Sequence, residues 1–182
     1  MKKVIILIIV CCTLFGLNAQ NADENKLKNK SFYVEFGGPG VLFSANLDGR
    51  FNSESKLGLG YRVGLGFGAE FEKEYSDENF FPDLSVSSYG TIPLGINYLF
   101  GKEHSPHLFE IGAGTTILFH SGERIRVYSD NRGTGHFIGH ATFMYRRQPL
   151  NGGFTFRVGL MPVVGNLGDF YLSAAVGLGY AF

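Results

Sequence analysis

The sequence predicts an all-β protein that forms an eight-stranded antiparallel up-and-down transmembrane β-barrel. The first observation is the segment at 57–71, LGLGYRVGLGFGAEF, in which large apolar residues alternate with glycine and two charged residues. Strict alternation is typical of a β-strand with two unlike faces. The second observation is that similar segments recur along the chain. The third is that no segment after residue 19 is apolar for long enough to cross a membrane as a helix.

Two architectures could use a strand such as 57–71. In a soluble sandwich or small barrel, the apolar face points into the core and the other face meets water. In a transmembrane barrel, the apolar face contacts lipid and the small or polar face lines a narrow interior. Glycine weakens a solvated strand but suits a crowded interior, so the glycines favour the transmembrane barrel.

Residues 1–19 are predicted to be a signal peptide. Lys2 and Lys3 give the basic start, Val4 to Leu17 gives the apolar segment, and Ala19 is the small residue preferred before the cleavage site. A transmembrane helix is the alternative. It is disfavoured because about 14 apolar residues are fewer than the roughly 20 that span a bilayer.

A lipoprotein signal is a second alternative for this segment, because Cys11 and Cys12 lie within it. It is disfavoured because Val10 is not the small residue expected before a lipidated cysteine. Cleavage after Ala19 leaves a mature chain without cysteine, so we expect no disulfide and no thiolate metal site. The mature chain has 14 basic and 16 acidic residues, which gives no electrostatic footprint for nucleic acid.

After a flexible polar lead-in at 20–30, residues 31–182 are predicted to form one barrel domain. Eight strands are the smallest number that closes a membrane barrel. Their predicted bounds are Phe32–Gly37, Val41–Phe51, Leu57–Phe71, Val86–Phe100, Leu108–His120, Thr134–Arg146, Gly153–Val164 and Phe170–Phe182. Gly37–Gly40 is predicted to form a tight turn. Pro93 and Pro162 fall inside strands, where each should mark a bulge or a missing ladder hydrogen bond.

The connections alternate in length, as expected when the two ends of a barrel face different compartments. Short turns are predicted at 52–56, 101–107 and 147–152, and long polar loops at 72–85 and 121–133. Aromatic residues on the apolar face collect near both ends of the strands, with aliphatic residues between them. Examples are Phe36, Phe43, Phe67, Phe119, Phe137 and Phe170 at the loop end, and Phe32, Phe51, Phe100, Phe109, Tyr145, Phe154, Tyr180 and Phe182 at the other. Two aromatic girdles around an aliphatic band match the two interfaces of a bilayer.

The final segment at 170–182, FYLSAAVGLGYAF, alternates to its end and closes on an aromatic residue. It resembles the C-terminal assembly signal of Gram-negative outer-membrane barrels. With the export signal, the chain resembles small outer-membrane β-barrel proteins and is similar in size to the OmpA transmembrane domain. The resemblance implies a monomer in the bacterial outer membrane that contacts outer-membrane lipid. It also implies recognition by the barrel-assembly machinery through the strand ending at Phe182. If the N-terminus starts in the periplasm, the alternation of connection lengths places the short turns in the periplasm and the long loops outside.

Seven charged residues fall on the predicted interior face and are the candidate site. They are Glu35, Asp48, Arg50, Arg62, Glu110, Arg146 and Arg157. The uncharged Asn97 lies on the same predicted face. Charges in an enclosed space of low dielectric constant must pair. We therefore expect a network of ion pairs that plugs the lumen, in which Arg62 bridges to Glu35 or Glu110. A binding site or gated pore is the alternative, which is disfavoured because eight strands leave room only for side chains or one small ligand.

Two other groups of residues carry side chains that are common in metal or catalytic sites. His120, His136 and His140 have inward-facing parity, but His136 and His140 lie roughly 13 Å apart along one strand, so one metal ion cannot bind both. His120, Ser121 and Glu123 suggest a lipid A deacylase or acyltransferase. Adjacent strand residues point to opposite faces, however, so His120 is poorly placed to activate Ser121. We expect no catalytic residue, no metal and no cofactor.

The sequence therefore predicts an integral outer-membrane barrel with a structural or surface-interaction role. The loops at 72–85 and 121–133 are the expected partner-binding elements, because loops on a rigid scaffold often determine binding specificity. An enzyme that modifies outer-leaflet lipid is one alternative. A narrow channel or small-ligand carrier is the other.

Overall fold

The computed structural model describes residues 28–74, 83–119, 136–165 and 170–182. The predicted signal peptide at 1–19 and most of the lead-in at 20–30 lie outside these residues. Eight strands and one short 3₁₀ turn make up the fold. The strands are β1 (Lys30–Gly37), β2 (Phe43–Arg50), β3 (Gly58–Glu74), β4 (Asp83–Gly101), β5 (His107–Phe119), β6 (Phe137–Arg147), β7 (Gly153–Gly165) and β8 (Phe170–Ala181), and the turn is η1 (Gly38–Gly40).

The eight strands form one closed antiparallel barrel in sequence order, so the predicted eight-stranded up-and-down architecture is confirmed. Each strand pairs with its neighbours in the chain, and β8 closes the barrel on β1. We call the end where β1 begins and β8 ends the base, and the opposite end the top. Among the described residues, no helix is long and apolar enough to cross a bilayer.

The strand register defines how strongly the barrel is sheared. A path from Ser31 across the paired residues Asp48, Arg62 and so on around the sheet reaches Tyr171 on β8. By the β1–β8 register, Tyr171 lies level with position 41, ten residues beyond the start. With eight strands, this stagger gives a strand tilt of about 40° and a backbone radius of about 8 Å. A barrel of this width encloses little more than its own side chains.

Alternation along the strands separates the inner and outer surfaces as the sequence predicts. On β5, the even-numbered Leu108 and Glu110 are buried, whereas Phe109 and Ile111 are exposed. Inward positions also include many of the glycines. A side chain at Gly64 would overlap Asn46 of β2, and one at Gly66 would overlap Thr91 of β4. The glycines of β3 thus make room for larger side chains from neighbouring strands.

The strand bounds differ from the predicted ones mainly at the top of β3 and β4. The loop predicted at 72–85 is partly wrong, because Glu72, Lys73 and Glu74 continue β3 and pair with Ser85, Leu84 and Asp83 of β4. These residues are largely polar, so the apolar alternation that marks the rest of the strand is lost there. The predicted loop at 121–133 lies outside the described residues.

Each of the two strand prolines interrupts one ladder without changing its register. The β3–β4 pairing passes from Val63↔Leu94 to Gly66↔Thr91 and omits the pairs at Ile92 and Pro93. The β6–β7 pairing likewise passes from His140↔Val163 to Phe143↔Leu160 and omits the pairs at Pro162 and Met161. Both prolines keep their partner on the other side. The prediction of a bulge or a missing ladder bond is confirmed as the missing bond, because proline has no N–H to donate.

The β1–β2 connection folds into the barrel instead of projecting from it. Gly38, Pro39 and Gly40 of η1 are all buried, and the turn lies against β1 to β5, β7 and β8. Gly37 and Gly38 have positive φ values, which glycine adopts without steric cost. Val41 also has a positive φ of 75°, a strained conformation for a β-branched residue. The predicted tight turn therefore exists, and it fills part of the lumen.

Candidate functional site

All seven predicted charged residues lie inside the barrel, and each belongs to at least one ion pair. Their carboxylates are Glu35, Asp48 and Glu110, and their guanidinium groups are Arg50, Arg62, Arg146 and Arg157. The three carboxylate residues are completely buried, and the four arginines are at most 6% exposed. They come from six strands, so closure of the sheet is what brings them together.

Asp48 connects the arginines on the side of the network nearer the base. Its Oδ1 lies 2.7 Å from Nη2 of Arg50 and 2.9 Å from Nη1 of Arg146. Asn97 donates through Nδ2 to Asp48 Oδ2 and accepts from Arg50 at its own Oδ1. Arg50 also donates to the carbonyl oxygen of Gly58 at 3.0 Å. The Asp48 carboxylate therefore has partners at both oxygens.

Glu110 is the centre of the network because three arginines surround it. Its Oε1 lies 2.8 Å from Arg157 Nη2 and 3.1 Å from Arg62 Nη2. Its Oε2 lies 3.3 Å from Arg146 Nη1. Asn97 adds a hydrogen bond to Oε1 at 3.3 Å. A buried carboxylate that accepts this many donors is compensated for its lost hydration.

Glu35 is held by charge alone. Its oxygens lie 3.3 Å from Arg157 Nε and 3.6 Å from Arg62 Nη1, and neither oxygen accepts a hydrogen bond from a described residue. Arg62 thus lies between Glu35 and Glu110. Tyr33 packs beside this part of the network, with the Arg157 guanidinium 4.7 Å from its ring centre and donating to its hydroxyl at 2.7 Å.

Above the ions, the lumen is closed by hydrogen bonds to the inward-folded turn η1. Thr116 donates to the carbonyl oxygen of Pro39 at 2.6 Å, and Thr91 donates to that of Gly40 at 3.1 Å. His140 is also buried, with its Nδ1 3.5 Å from the Thr116 hydroxyl. Nearer the top, an apolar cluster completes the interior, formed by Tyr89, Leu118, Ile138, Met161 and Val163, with Val41 and Tyr171 against it.

The base is closed by connections between strands. Lys56 is buried and donates through Nζ to the carbonyl oxygen of Ser105 at 2.6 Å. Burial lowers the pKa of the Lys56 ammonium, and the charge of Glu103 partly opposes this shift. Gln148 donates to the carbonyl oxygen of Lys28 at 2.9 Å, which holds the start of the described chain against the base.

The outer surface of the barrel is apolar around its whole circumference. Exposed aliphatic residues at mid-height come from several strands and include Leu47, Val63, Leu65, Ile96, Val158, Leu160 and Val176. Exposed aromatic residues flank them towards both ends, among them Phe36, Phe43, Phe67, Phe119, Phe137 and Phe170 at the top and Phe32, Phe51, Phe100, Phe109, Phe154, Tyr180 and Phe182 at the base. Soluble monomers rarely expose a continuous apolar surface of this extent.

The other candidate residues are not assembled into a site by the described structure. His136 is exposed and His140 is buried, and no group of three or more His, Cys, Asp or Glu residues that could hold a metal ion occurs among the described residues. His120, Ser121 and Glu123 lie outside the described residues. The described residues therefore leave the catalytic alternative untested, and they bring no further ligand to His136 and His140.

Sequence reasoning missed several residues that complete the interior. Tyr33 and Ser31 contact Arg157 and Arg146, respectively, and Lys56 and Gln148 close the base. Tyr33 shares the inward parity of Glu35 on β1, so the alternation contained a signal for it. The inward folding of η1 had no such signal, because a Gly-Gly-Pro-Gly turn is compatible with either direction.

Comparisons with known proteins bring no relative to this arrangement. No family model, curated protein or solved structure matches the chain.

Proposed function

We propose that this chain is an integral outer-membrane β-barrel with a plugged lumen and a structural or surface-interaction role. The observation that carries the proposal is the inverted polarity of the fold. Every carboxylate in the strands with a described side chain is buried, whereas large apolar side chains cover the outer wall. Hydrocarbon is the environment that stabilises such a surface, because exposing it to water is unfavourable by about 25 cal/mol per Å².

The arrangement of the outer wall supports a bilayer rather than a protein partner. Aliphatic residues form the middle of the wall, and aromatic residues lie at both ends. Trp and Tyr favour the headgroup region of a bilayer, and aromatic girdles flank the apolar band of known outer-membrane barrels. A closed barrel also leaves no strand edge unpaired in lipid.

The filled interior favours a structural role over a channel or carrier. Ion pairs, the turn η1 and the apolar cluster occupy successive levels of the lumen from base to top. Transport of a small molecule would require several of these groups to move together. Specific contacts of the protein would then be made by its loops, and its assembly would depend on recognition of the C-terminal segment formed by β8 and Phe182.

The test begins with the location of the full chain in a Gram-negative host. We expect export with removal of residues 1–19 and recovery in the outer-membrane fraction, whereas a variant without residues 1–19 stays inside the cell. The purified mature chain should fold only with detergent or lipid, and its electrophoretic mobility should change on heating. A mature chain that is folded and monodisperse in plain buffer would contradict the proposal.

Lipid analysis of the same cells addresses the enzyme alternative. We expect the acyl chains of lipid A to be identical with and without expression of the protein. A change in acyl-chain number that disappears in the Ser121→Ala variant would replace the structural role with the enzymatic one.

A further inference from the structure

The charged residues on the outer wall are sorted by sign and by height. Among strand residues with described side chains, every carboxylate points inward and is buried. Among the same residues, the basic and imidazole side chains at outward positions are Lys30, His107 and Arg147, and all three lie at the base. Lys102, also exposed, follows directly after the end of β4 at the base. One end of the apolar wall is therefore bordered by basic residues.

Each of these basic residues lies two positions along the chain from an aromatic residue of the girdle at the base. Lys30 lies two positions from Phe32 along β1, Arg147 lies two positions from Tyr145 along β6, and the pairs His107–Phe109 and Lys102–Phe100 repeat this spacing. Two strand residues span about 6.7 Å, and the strand tilt reduces this to about 5 Å along the barrel axis. Aromatic belts lie at the headgroup level, so each basic group lies at the outer side of the belt, within reach of lipid phosphates.

One part of this border contains a small polar cluster. His107 and Arg147 are directly paired across β5 and β6. Nδ1 of His107 lies 2.6 Å from the Tyr145 hydroxyl, and the two rings are stacked with centres 6.1 Å apart. An imidazole, a phenol and a guanidinium thus lie together on the outside of the wall, where none of them has a described carboxylate partner.

The connections at the base carry two carboxylates with described side chains. Glu54 is in the β2–β3 connection, and Glu103 is in the β4–β5 connection, where it accepts a hydrogen bond from Ser55 at 2.6 Å. Neither forms an ion pair with Lys30, Lys102 or Arg147 among the described contacts. The basic groups are consequently available to an external anion.

We propose that Lys30, Lys102, His107 and Arg147 form a basic collar that binds anionic phospholipid headgroups of the leaflet at the base. This inference rests on the proposed membrane location and adds the lipid class that this end of the barrel prefers. The supporting argument is charge complementarity at a defined depth, because basic groups beside an anionic membrane surface each strengthen attraction to it. In the predicted orientation, this is the periplasmic leaflet.

The test uses the mature protein reconstituted into phosphatidylcholine bilayers with a trace of spin-labelled lipid. Electron paramagnetic resonance measures the fraction of label immobilised at the protein surface. At low salt, we expect phosphatidylglycerol label to be enriched over phosphatidylcholine label by roughly twofold, averaged over the lipid shell. Salt at about 1 M should abolish the difference, because the Debye length falls to roughly 3 Å.

Two triple variants locate the effect. K30Q/K102Q/R147Q should lose the phosphatidylglycerol preference. The matched control R124Q/R126Q/R132Q removes the same charge from the predicted loop at 121–133 and should keep it. Equal loss in both variants would overturn the collar, because it would assign the preference to net charge alone. No preference in a wild-type protein that has inserted would also overturn it, whereas failure to insert into any bilayer would instead contradict the proposed function.

Discussion

Glu110 and Glu35 show how differently two carboxylates can be held within one network. Both are fully buried and both contact Arg62 and Arg157. Glu110 also pairs with Arg146 and accepts hydrogen bonds at both oxygens, whereas Glu35 accepts none from a described residue. Hydrogen bonds to charged groups are stronger than neutral ones and require good geometry. Glu110 should therefore contribute more to stability than Glu35 at equal charge.

The variants Glu110→Gln and Glu35→Gln test this difference. Removing one partner of a buried ion pair typically costs about 3–5 kcal/mol, and we expect Glu110→Gln to lie in this range. Glu35→Gln should cost about 1–2 kcal/mol less, because fewer charge-assisted hydrogen bonds are lost. The free energy of unfolding is measured by urea titration in detergent micelles with far-ultraviolet circular dichroism.

The two substitutions are matched controls for each other, since each removes one negative charge from the same enclosed space. A difference in unfolding free energy therefore reports contacts and not net charge. Equal costs for the two variants would show that long-range charge balance, and not the local contacts of Glu110, stabilises the interior.

At the scale of strands, the interior glycines set how closely neighbouring backbones and side chains can pack. Gly114 of β5 points inward, where an added Cβ would overlap the Leu94 carbonyl oxygen and approach Gly95 Cα at 2.8 Å. Both of these are backbone atoms of β4, which cannot move without disturbing the ladder. Gly139 of β6 points outward, and its Cβ would come no closer than 3.6 Å to the Val164 carbonyl oxygen.

We expect Gly114→Ala to lower the unfolding free energy by about 1–3 kcal/mol, as overpacking of a close-packed interior does. Gly139→Ala should be neutral or stabilising by up to about 1 kcal/mol, because alanine restricts the unfolded chain more than glycine does. Urea titration in micelles compares the two variants. If Gly114→Ala and Gly139→Ala lowered the unfolding free energy equally, the claim that the interior is more crowded than the outer wall would be wrong.

The turn η1 gives a second prediction at this scale. Thr116 holds the Pro39 carbonyl oxygen, so Thr116→Val leaves a buried acceptor without its donor at a cost of about 1–3 kcal/mol. The amide of Val41, which donates to Gly38, and that of Leu42, which donates to Phe67, should then exchange hydrogen faster. Hydrogen exchange followed by mass spectrometry measures this. Thr115→Val is the control, because the Thr115 hydroxyl donates to the carbonyl oxygen of Ile138 and not to η1. Unchanged exchange in Thr116→Val would mean that the Thr116 hydroxyl does not retain the turn.

These elements also show what alternation can and cannot predict. The faces of β3 and β5 follow from their sequences, because an apolar residue at every second position fixes which side meets the interior. The upper ends of β3 and β4 do not, because residues 72–74 are polar in sequence and nevertheless continue the β3–β4 ladder in register. The position of η1 depends on space created by glycines in other strands, which no local pattern reports.

At the scale of the whole molecule, barrel closure decides which charges meet. Asp48 and Arg146 are 98 residues apart and lie within 2.9 Å, and Tyr33 and Arg157 are 124 residues apart. The alternation alone places these charges in the interior. Their pairing follows from the ten-residue shear of the barrel, which depends on the register of all eight strand pairs at once.

The same closure leads to a prediction about conductance. A barrel of eight strands has a backbone radius of about 8 Å, and inward side chains fill most of that space. In this barrel, the ion network, η1 and the apolar cluster follow one another along the axis, so an ion entering from either end meets buried side chains. We expect no steady single-channel current from the reconstituted wild-type protein in planar bilayers.

The measurement is informative only for protein that has inserted, so the same preparation is checked by flotation with vesicles and by its heat-dependent electrophoretic mobility. Thr116→Val is recorded in parallel, because release of η1 alone should leave the ion network in place and the current absent. A stable, ohmic current in the wild type would show that the ion pairs line a conducting path. Current in Thr116→Val alone would make η1 the barrier, since the remaining network of buried arginines and carboxylates would then be permeable.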